Sequence, residues 1–353
     1  MRSHATGKDP RIAAALGRVR RAIDPLPIDA RALLVACSGG ADSVAALGLL
    51  LALRSSLKLE IAVGHVDHGL RPESIDEAAK VAALAEQLGL AWRSTRLSLA
   101  PGPGLPERAR EARRAALVEQ ARELGASTIV LAHTATDQAE TMLMHLARGA
   151  GLDGLAAMPV HGHPWLRPLL DLTRAETREL AERLGLGFVD DPGNEDPRQF
   201  RVWLRTQVLP GLRERNPEVD RALVGLARQA READEALEEW AASEIESRRD
   251  PADTGRWMLA DFDRLPRALR ARVLRRILAL EGVDLEQLRR RTLDELEAAA
   301  LAVAQADRRR LGSPGFASPP PKGWDLAPKL RVTIDRNGVR VAPGEPASDA
   351  GNH

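Results

Sequence analysis

Leu33-Leu34-Val35-Ala36-Cys37-Ser38-Gly39-Gly40-Ala41-Asp42-Ser43 is the stretch whose reading decides the fold. Its first five residues are small or apolar and read as a short buried strand. Residues 44–53 continue as an apolar run of helical length and composition. The polar turn therefore lies between a strand and a helix N-terminus. Gly39 and Gly40 have no Cβ, so a polyphosphate can approach their backbone N–H groups closely. Unpaired N–H groups and the positive end of the helix dipole make an anion site there. Ser38 and Ser43 add hydroxyl donors. Asp42 would repel a phosphate directly, but it suits a Mg²⁺ that bridges phosphate oxygens. An ordinary turn with a helix cap could use the same residues, since Asp and Ser are good N-caps. The strand before and the helix after favour the nucleotide reading. A Walker loop is excluded, because no Gly-Lys-Ser/Thr ending follows.

Outward from this turn, strands and helices alternate. Residues 11–23 have an amphipathic helical pattern closed by Pro25 and Pro27. Residues 59–66 read as a second strand, 73–90 as a helix, 91–97 as a third strand and 107–124 as an Arg-rich helix. Residues 127–132 read as a β-branched strand ending at His133, with a helix over 138–147. This alternation predicts an α/β fold with a doubly wound parallel sheet. Ligands of such sheets bind beyond the carboxyl ends of the strands. Three polar clusters fall at those ends: Ser38 to Ser43, His65 to Arg71, and His133 to Glu140.

Further along, a helix is expected over 173–184, another over 202–212 interrupted at Pro210, and a long one of alternating charge over 217–248. Asn216-Pro217 favours a boundary. Residues 267–280 form a helix studded with Arg270, Arg272, Arg275 and Arg276. Helices are expected at 285–290 and 292–307, and a hairpin of strands 330–334 and 338–341 around the Asn337-Gly338 turn. The expected organisation is an N-terminal helix (1–29), a catalytic domain (30–216), a helical linker (217–256), a small, mostly helical C-terminal domain with its hairpin (257–341) and a disordered tail (342–353).

Bulk composition narrows the function classes. The 353 residues carry a net charge of +1, so a nucleic-acid surface must be a local patch. There is no Tyr, which leaves base stacking to Trp, Phe, His or Arg. Cys37 is the single cysteine, which excludes an intrachain disulfide and a Cys-based zinc cluster. His65 and His68 lack third and fourth ligands at zinc spacing. No stretch is long and apolar enough to span a membrane, and the polar opening residues lack a secretory h-region. A cytoplasmic protein with no membrane partner is expected.

The turn at Ser38–Ser43 resembles the pyrophosphate loop of the N-type ATP pyrophosphatases, which split ATP between its α and β phosphates. Over roughly residues 30–217, and more weakly over 257–341, the chain is similar to one family within that group, the tRNA(Ile)-lysidine synthetases. The segments carrying the resemblance are Ser38-Gly39-Gly40-Ala41-Asp42-Ser43, His65-Val66-Asp67-His68-Gly69-Leu70-Arg71, Ala109-Arg110 with Arg113, and His133 with Asp137-Gln138-Ala139-Glu140-Thr141. Arg148-Gly149-Ala150-Gly151, Arg167-Pro168-Leu169-Leu170 and Asp191-Pro192-Gly193-Asn194 complete the pattern.

The resemblance implies an adenine nucleotide alpha hydrolase-like fold and a ligase. ATP and Mg²⁺ would activate the position-2 carbonyl oxygen of the wobble cytidine in an isoleucine tRNA with a CAU anticodon. L-Lysine would then attack that carbon and expel AMP. It further implies ATP contacts from Ser38, Gly39, Gly40, Ala41, Asp42, Ser43 and His65, and metal ligands at Asp42 and Asp137. Catalytic roles are implied for Asp42, Arg113, His133, Asp137 and Arg205. Contacts to tRNA are expected from Arg201 and from Arg270, Arg272, Arg275 and Arg276, although a solvated helix face would explain the last four equally. A homodimer is left open. Three positions depart from the family pattern: Arg114 replaces a Tyr, Thr136 an Asp, and Val202 an Asn. A sulfur-installing relative is disfavoured by the single Cys, and a glutamine-fed amide synthetase by the Arg-rich helical tail. A degenerate member that binds without catalysis is the third alternative.

Overall fold

A computed structural model describes residues 9–67, 74–100, 102–189, 199–253, 255–285, 288–312, 319–326 and 330–343. His68-Gly69-Leu70-Arg71, Asp191-Pro192-Gly193-Asn194 and most of the expected tail lie outside the described residues. The chain divides into two compact units, Met1–Arg231 and Glu232–His353.

The first unit opens with α1 (Pro10–Ile23), whose first turn is capped by the Asp9 carboxylate. There follow β1 (Ala32–Ala36), α2 (Ala41–Leu57), β2 (Glu60–Asp67), α3 (Ser74–Gln87), β3 (Trp92–Arg96), α4 (Leu105–Glu123), β4 (Thr128–Val130) and α5 (Ala135–Ala147). Next come α6 (Leu152–Leu155), β5 (His161–Gly162), β6 (Trp165–Leu166), α7 (Arg174–Arg183), α8 (Phe200–Trp203), α9 (Leu209–Arg215) and α10 (Val219–Glu246), and the division between units falls within α10.

The sheet order is β3-β2-β1-β4-β6-β5. Every pairing is parallel except β5 with β6. Alternate residues of β1 feed opposite layers. Leu33 and Val35 join the core that contains α1 and α2, and Leu34 and Ala36 join Leu117 and Ala121 of α4. A strand covered on both faces has no polar side, which is why β1 reads as a continuous apolar run. Residues Val44–Leu50 of α2 are likewise buried around the whole helix circumference. The chain leaves β1 towards β2 on one side and reaches β4 on the other. That makes the β1/β4 junction the switch point, with its crevice at the carboxyl ends.

Two boundaries differ from the sequence reading for local reasons. The α5 helix starts at Ala135, not at Gln138, because Thr134 caps it and Asp137 returns a bond to the Thr134 N–H in a capping box. The expected break at Pro210 does not occur. A π-turn over Leu204–Val208 joins α8 to α9, and Pro210 falls in the first turn of α9, where a missing N–H is tolerated.

The second unit contains the end of α10, β7 (Arg256–Trp257), α11 (Arg267–Leu280), α12 (Arg290–Gly312), β8 (Lys322–Leu326), β9 (Leu330–Asp335) and β10 (Gly338–Pro343). Leu288 and Arg289, expected in a short helix, are not helical. The anticipated hairpin, β9 with β10, is the centre of a four-stranded antiparallel sheet in the order β7-β10-β9-β8. Phe262, Leu269, Val273, Ile277, Ala300, Val332, Ile334 and Val339 form its core. Gly338 has φ +130°, and a Cβ there would sit 2.1 Å from the Trp257 carbonyl oxygen, so β7 can pair with β10 only across a glycine. Among the described residues no helix is long and apolar enough to cross a membrane.

Candidate active site

The loop after β1 bends on itself through Ser43. Its hydroxyl donates to the Gly40 carbonyl at 2.9 Å and accepts from the Ser38 N–H at 3.2 Å. Gly39 takes φ +85°, and a Cβ there would press on Val81 at 3.3 Å. Gly40 is the N-cap of α2, and no side chain caps the helix, which leaves its first turn open to an anion.

A cavity of about 300 Å³ opens beside this loop. Ser38, Asp42 and Ser43 line it from the β1 side, His133 and Asp137 from beyond β4, Arg113 from α4, and Arg174, Arg201 and Arg205 from later elements. A second cavity of about 760 Å³ shares Ser38, Asp42, Arg174 and Arg205, and also takes in Gly40 and Ala41. Thus Ser38, Gly40, Ala41, Asp42, Ser43, Arg113, His133, Asp137 and Arg205 all face one of these two spaces.

Opposite charges alternate through the site. Arg174 stands between the two carboxylates expected to hold a metal, with Nε 3.4 Å from Asp42 and a terminal nitrogen 3.1 Å from Asp137 Oδ1. Arg201 donates to the same Asp137 oxygen at 3.0 Å and to Glu140 Oε2 at 2.6 Å. Arg205 grips Glu140 with two bonds, at 2.7 and 3.0 Å. Glu140 is fully buried. The other Asp137 oxygen accepts from the backbone N–H and the hydroxyl of Thr134, each at 2.8 Å. Thr177, also fully buried, donates its hydroxyl to Asp42.

These surroundings push the two carboxyls apart. Burial raises Asp42, outweighing its Thr177 bond and Arg174, and the charge of Asp137 adds to the rise. Burial also pushes Asp137 up, but Arg174, Arg201, the Thr134 N–H and His133 together hold it below the ordinary carboxylate range. Both acids are hard oxygen donors from different elements of one cavity wall, the donor type that Mg²⁺ combines with phosphate oxygens. A cation already lies between them, in the form of Arg174. The donor chemistry therefore fits a magnesium ion.

Arg113 has no carboxylate partner among the described residues, and burial with Arg110 nearby lowers its pKa. His133 is pushed down to about 4, first by burial and then by Arg167, Arg201 and Arg113, which together outweigh Asp137. Its imidazole is thus neutral at pH 7. In the free protein His133 is expected to titrate near pH 4 by NMR. Because the folded value lies below the ordinary 6.5, the unfolded chain takes up the proton first. The stability contributed by neutral His133 is therefore complete above pH 6.5 and lost as pH falls towards 4. A titration midpoint near 6.5 would contradict this placement.

Several expected residues lie elsewhere. His65 lines neither cavity. Its ring is buried on β2 with Nδ1 2.8 Å from the Cys37 carbonyl, at the end of the strand that leads into the loop. Arg201, expected on tRNA, is drawn into the site by Asp137 and Glu140. Arg270 bonds Glu297 at 3.0 Å and the Leu265 carbonyl at 2.9 Å. Arg272 bonds Asp234 at 2.5 Å and Glu238 at 2.6 Å. Both are half-buried ties within the second unit, their charges already paired with acids. Arg276 reaches Glu238 at 3.2 Å, and Arg275 is exposed.

Arg174 and Thr177 carry no mark in the sequence, and Glu140 stands there only within a motif, with no role of its own. For Glu140 a signal existed, since Asp137 and Glu140 are three apart on one helix and face the same way. The departures from the family pattern are accommodated. Thr136 accepts a bond from the Arg174 N–H at 3.3 Å, and Arg114 lies 4.9 Å from the Trp165 ring centre. Val202 is buried.

Residues 14–212 match the family profile of the PP-loop domain. The tRNA(Ile)-lysidine synthase of Salinispora arenicola is 40% identical over 82% of this chain and 88% of its own length. That of a Bradyrhizobium species is 37% identical over 90% and 91%, and that of Bordetella bronchiseptica 42% identical over 78% and 80%. Among solved structures, the U34-tRNA thiolase NcsA from Methanococcus maripaludis superposes with a TM-score of 0.52 at 18% identity, covering 63% of this chain and 79% of that one. At that identity the likeness concerns the fold alone.

Proposed function

The chain belongs to the tRNA(Ile)-lysidine synthase family, and from that premise we propose how its residues carry out the reaction. The enzyme is a carbon–nitrogen ligase. It uses ATP to join lysine to carbon 2 of the wobble cytidine of an isoleucine tRNA with a CAU anticodon. In the first step the cytidine O2 attacks the α-phosphorus of ATP, the bond to the β-phosphate oxygen breaks, and pyrophosphate leaves. In the second a lysine amine attacks carbon 2, the C–O bond breaks, AMP leaves, and the amine gives up a proton.

The observation that carries this reading is the convergence of loop, cations and acids on one cavity. The open first turn of α2 and the Ser38–Ser43 loop receive the phosphates. Arg113 has no carboxylate partner among the described residues, so its charge is available to the charge that develops on the departing pyrophosphate. Neutral His133 offers a hydrogen bond to the nucleotide without adding charge. Glu140 fixes Arg201 and Arg205 in place before substrate arrives. Asp42 and Asp137 would hold a Mg²⁺ that neutralises phosphate charge and orients the phosphoryl groups.

The direct test is incorporation of labelled lysine into an isoleucine tRNA transcript with a CAU anticodon, in the presence of ATP and Mg²⁺. A transcript with uridine at the wobble position is the control. Label is expected only in the cytidine form. Retention of tRNA with no incorporation and no pyrophosphate release would replace this reading with a binding protein.

A further inference from the structure

Four arginines near the site have no acidic partner among the described residues, although much of this Arg-rich surface is paired. Arg122 meets Glu119, Arg183 meets Glu179, Arg221 meets Glu218 and Arg291 meets Glu295. Arg110, Arg113 and Arg114 share one stretch of α4, at helix-neighbour spacing. Arg167 follows directly on β6. Because β6 lies parallel beside β4, Arg167 emerges at the same carboxyl edge as His133. Trp165 joins the two groups, with Arg114 4.9 Å from its ring centre and Arg167 two residues on.

The cluster is poorly satisfied internally. Arg167 donates one terminal nitrogen to the Pro159 carbonyl at 3.0 Å, but its buried Nε has no partner. Burial, with repulsion from Arg114, Arg110 and Arg231, brings its pKa down to about 10. Arg110 and Arg114 are exposed and line neither cavity, while Arg113, on the same helix, lines the smaller one. The cationic strip thus begins at the cavity with Arg113 and continues onto the exposed surface of α4. Glu107 and Glu111 stand one turn before Arg110 and Arg114 on α4, but no ion pair joins them among the described residues, and a cluster of like charges in that state gains from a polyanion that spans it.

We propose that Arg110, Arg114 and Arg167 form a phosphodiester clamp for the tRNA backbone next to the wobble nucleotide, holding the anticodon loop so that the cytidine enters the cavity of Asp42 and Asp137. This rests on the functional reading above. The clamp contacts phosphate and not bases, so it positions the RNA without reading its sequence. ATP phosphates are a second source of the same chemistry. They have their own receptor in the loop and open helix end, which Arg110 and Arg114 do not line.

The test uses the full chain and an anticodon stem-loop RNA bearing CAU, with affinity measured from about 50 to about 200 mM salt. The Arg110→Ala/Arg114→Ala double variant is expected to bind the RNA roughly tenfold more weakly, with a salt slope shallower by about 1.4 to 1.8 for two lost phosphate contacts. ATP affinity should be unchanged. The Arg110→Lys/Arg114→Lys variant should restore the slope, which a packing role would not require. Arg167→Gln serves as a third variant, with its fold checked by circular dichroism. Wild-type affinity and slope in the alanine variant would overturn the clamp. A loss confined to ATP affinity would do the same, by assigning the cluster to the nucleotide. Failure of the wild-type chain to bind the stem-loop or to incorporate lysine would overturn the functional reading as well, and would be seen before any variant is compared.

Discussion

Asp137→Asn is expected to abolish adenylation, with tRNA-dependent pyrophosphate release falling by at least about 10³-fold, the scale on which single electrostatic groups act in such sites. The substitution removes one negative charge from the centre of the network. Arg174 and Arg201 both donate to Asp137 Oδ1, so both lose their shared acceptor charge. Of the two acids expected to hold a metal, Asp42 alone keeps its charge. The fold should survive, because an asparagine carbonyl can still accept from the Thr134 N–H and keep the first turn of α5 closed. Stem-loop binding should therefore persist while pyrophosphate release disappears. Equal rates of release for the variant and the wild type would remove Asp137 from the reaction.

Glu140→Ala is expected to damage both stability and turnover. Glu140 is fully buried and is held by Arg201 and Arg205 through three hydrogen bonds. Removing one side of a buried ion pair costs about 3–5 kcal/mol when the other charge stays buried. Here each guanidinium keeps more than a third of its side chain exposed and can rehydrate, so a loss of about 2–3 kcal/mol is expected. Urea unfolding measures it. Both arginines would also lose their fixed orientation at the cavity wall, and lysidine formation should drop about 10²-fold or more. Glu140→Gln keeps the volume and part of the hydrogen bonding, so it should recover stability before it recovers activity. Wild-type stability and turnover in Glu140→Ala would show that the buried carboxylate organises nothing.

The three departures from the family pattern do not touch the charge network itself. Thr136 is buried and bonded to the first residue of α7, so the hydroxyl helps to place Arg174. Arg114 sits against Trp165. Val202 faces the interior, while Arg201 and Arg205, one turn apart, face the carboxylates of α5.

Local chemistry made a large part of this molecule legible from the chain alone. The apolar run of β1, the turn with Gly39 and Gly40 and the all-apolar α2 specify a strand, a loop and a helix by composition and periodicity, so the doubly wound sheet followed. Ser38, Asp42, His133 and Asp137 stand where strand ends and helix starts must bring them, because a parallel sheet delivers every such loop to one edge, whereas Arg113 reaches the cavity from the middle of α4. The two-residue strands β5 and β6 are too short to show any period, and the bonds that define them come from partners distant in sequence.

Charge pairing was decided only by the tertiary structure. Nothing adjacent to Arg174 marks it as the cation between Asp42 and Asp137, since those acids lie 132 and 37 residues away along the chain. Arg270 and Arg272 look in sequence like any exposed basic stripe, yet acids on other helices consume them. Arg110, Arg114 and Arg167 look the same and have no such acid among the described residues. Periodicity reports which face of an element turns inward, and it is blind to what stands opposite. Whether an arginine is a tie, a site residue or a free cation depends on that opposite surface, which exists only once the elements have packed.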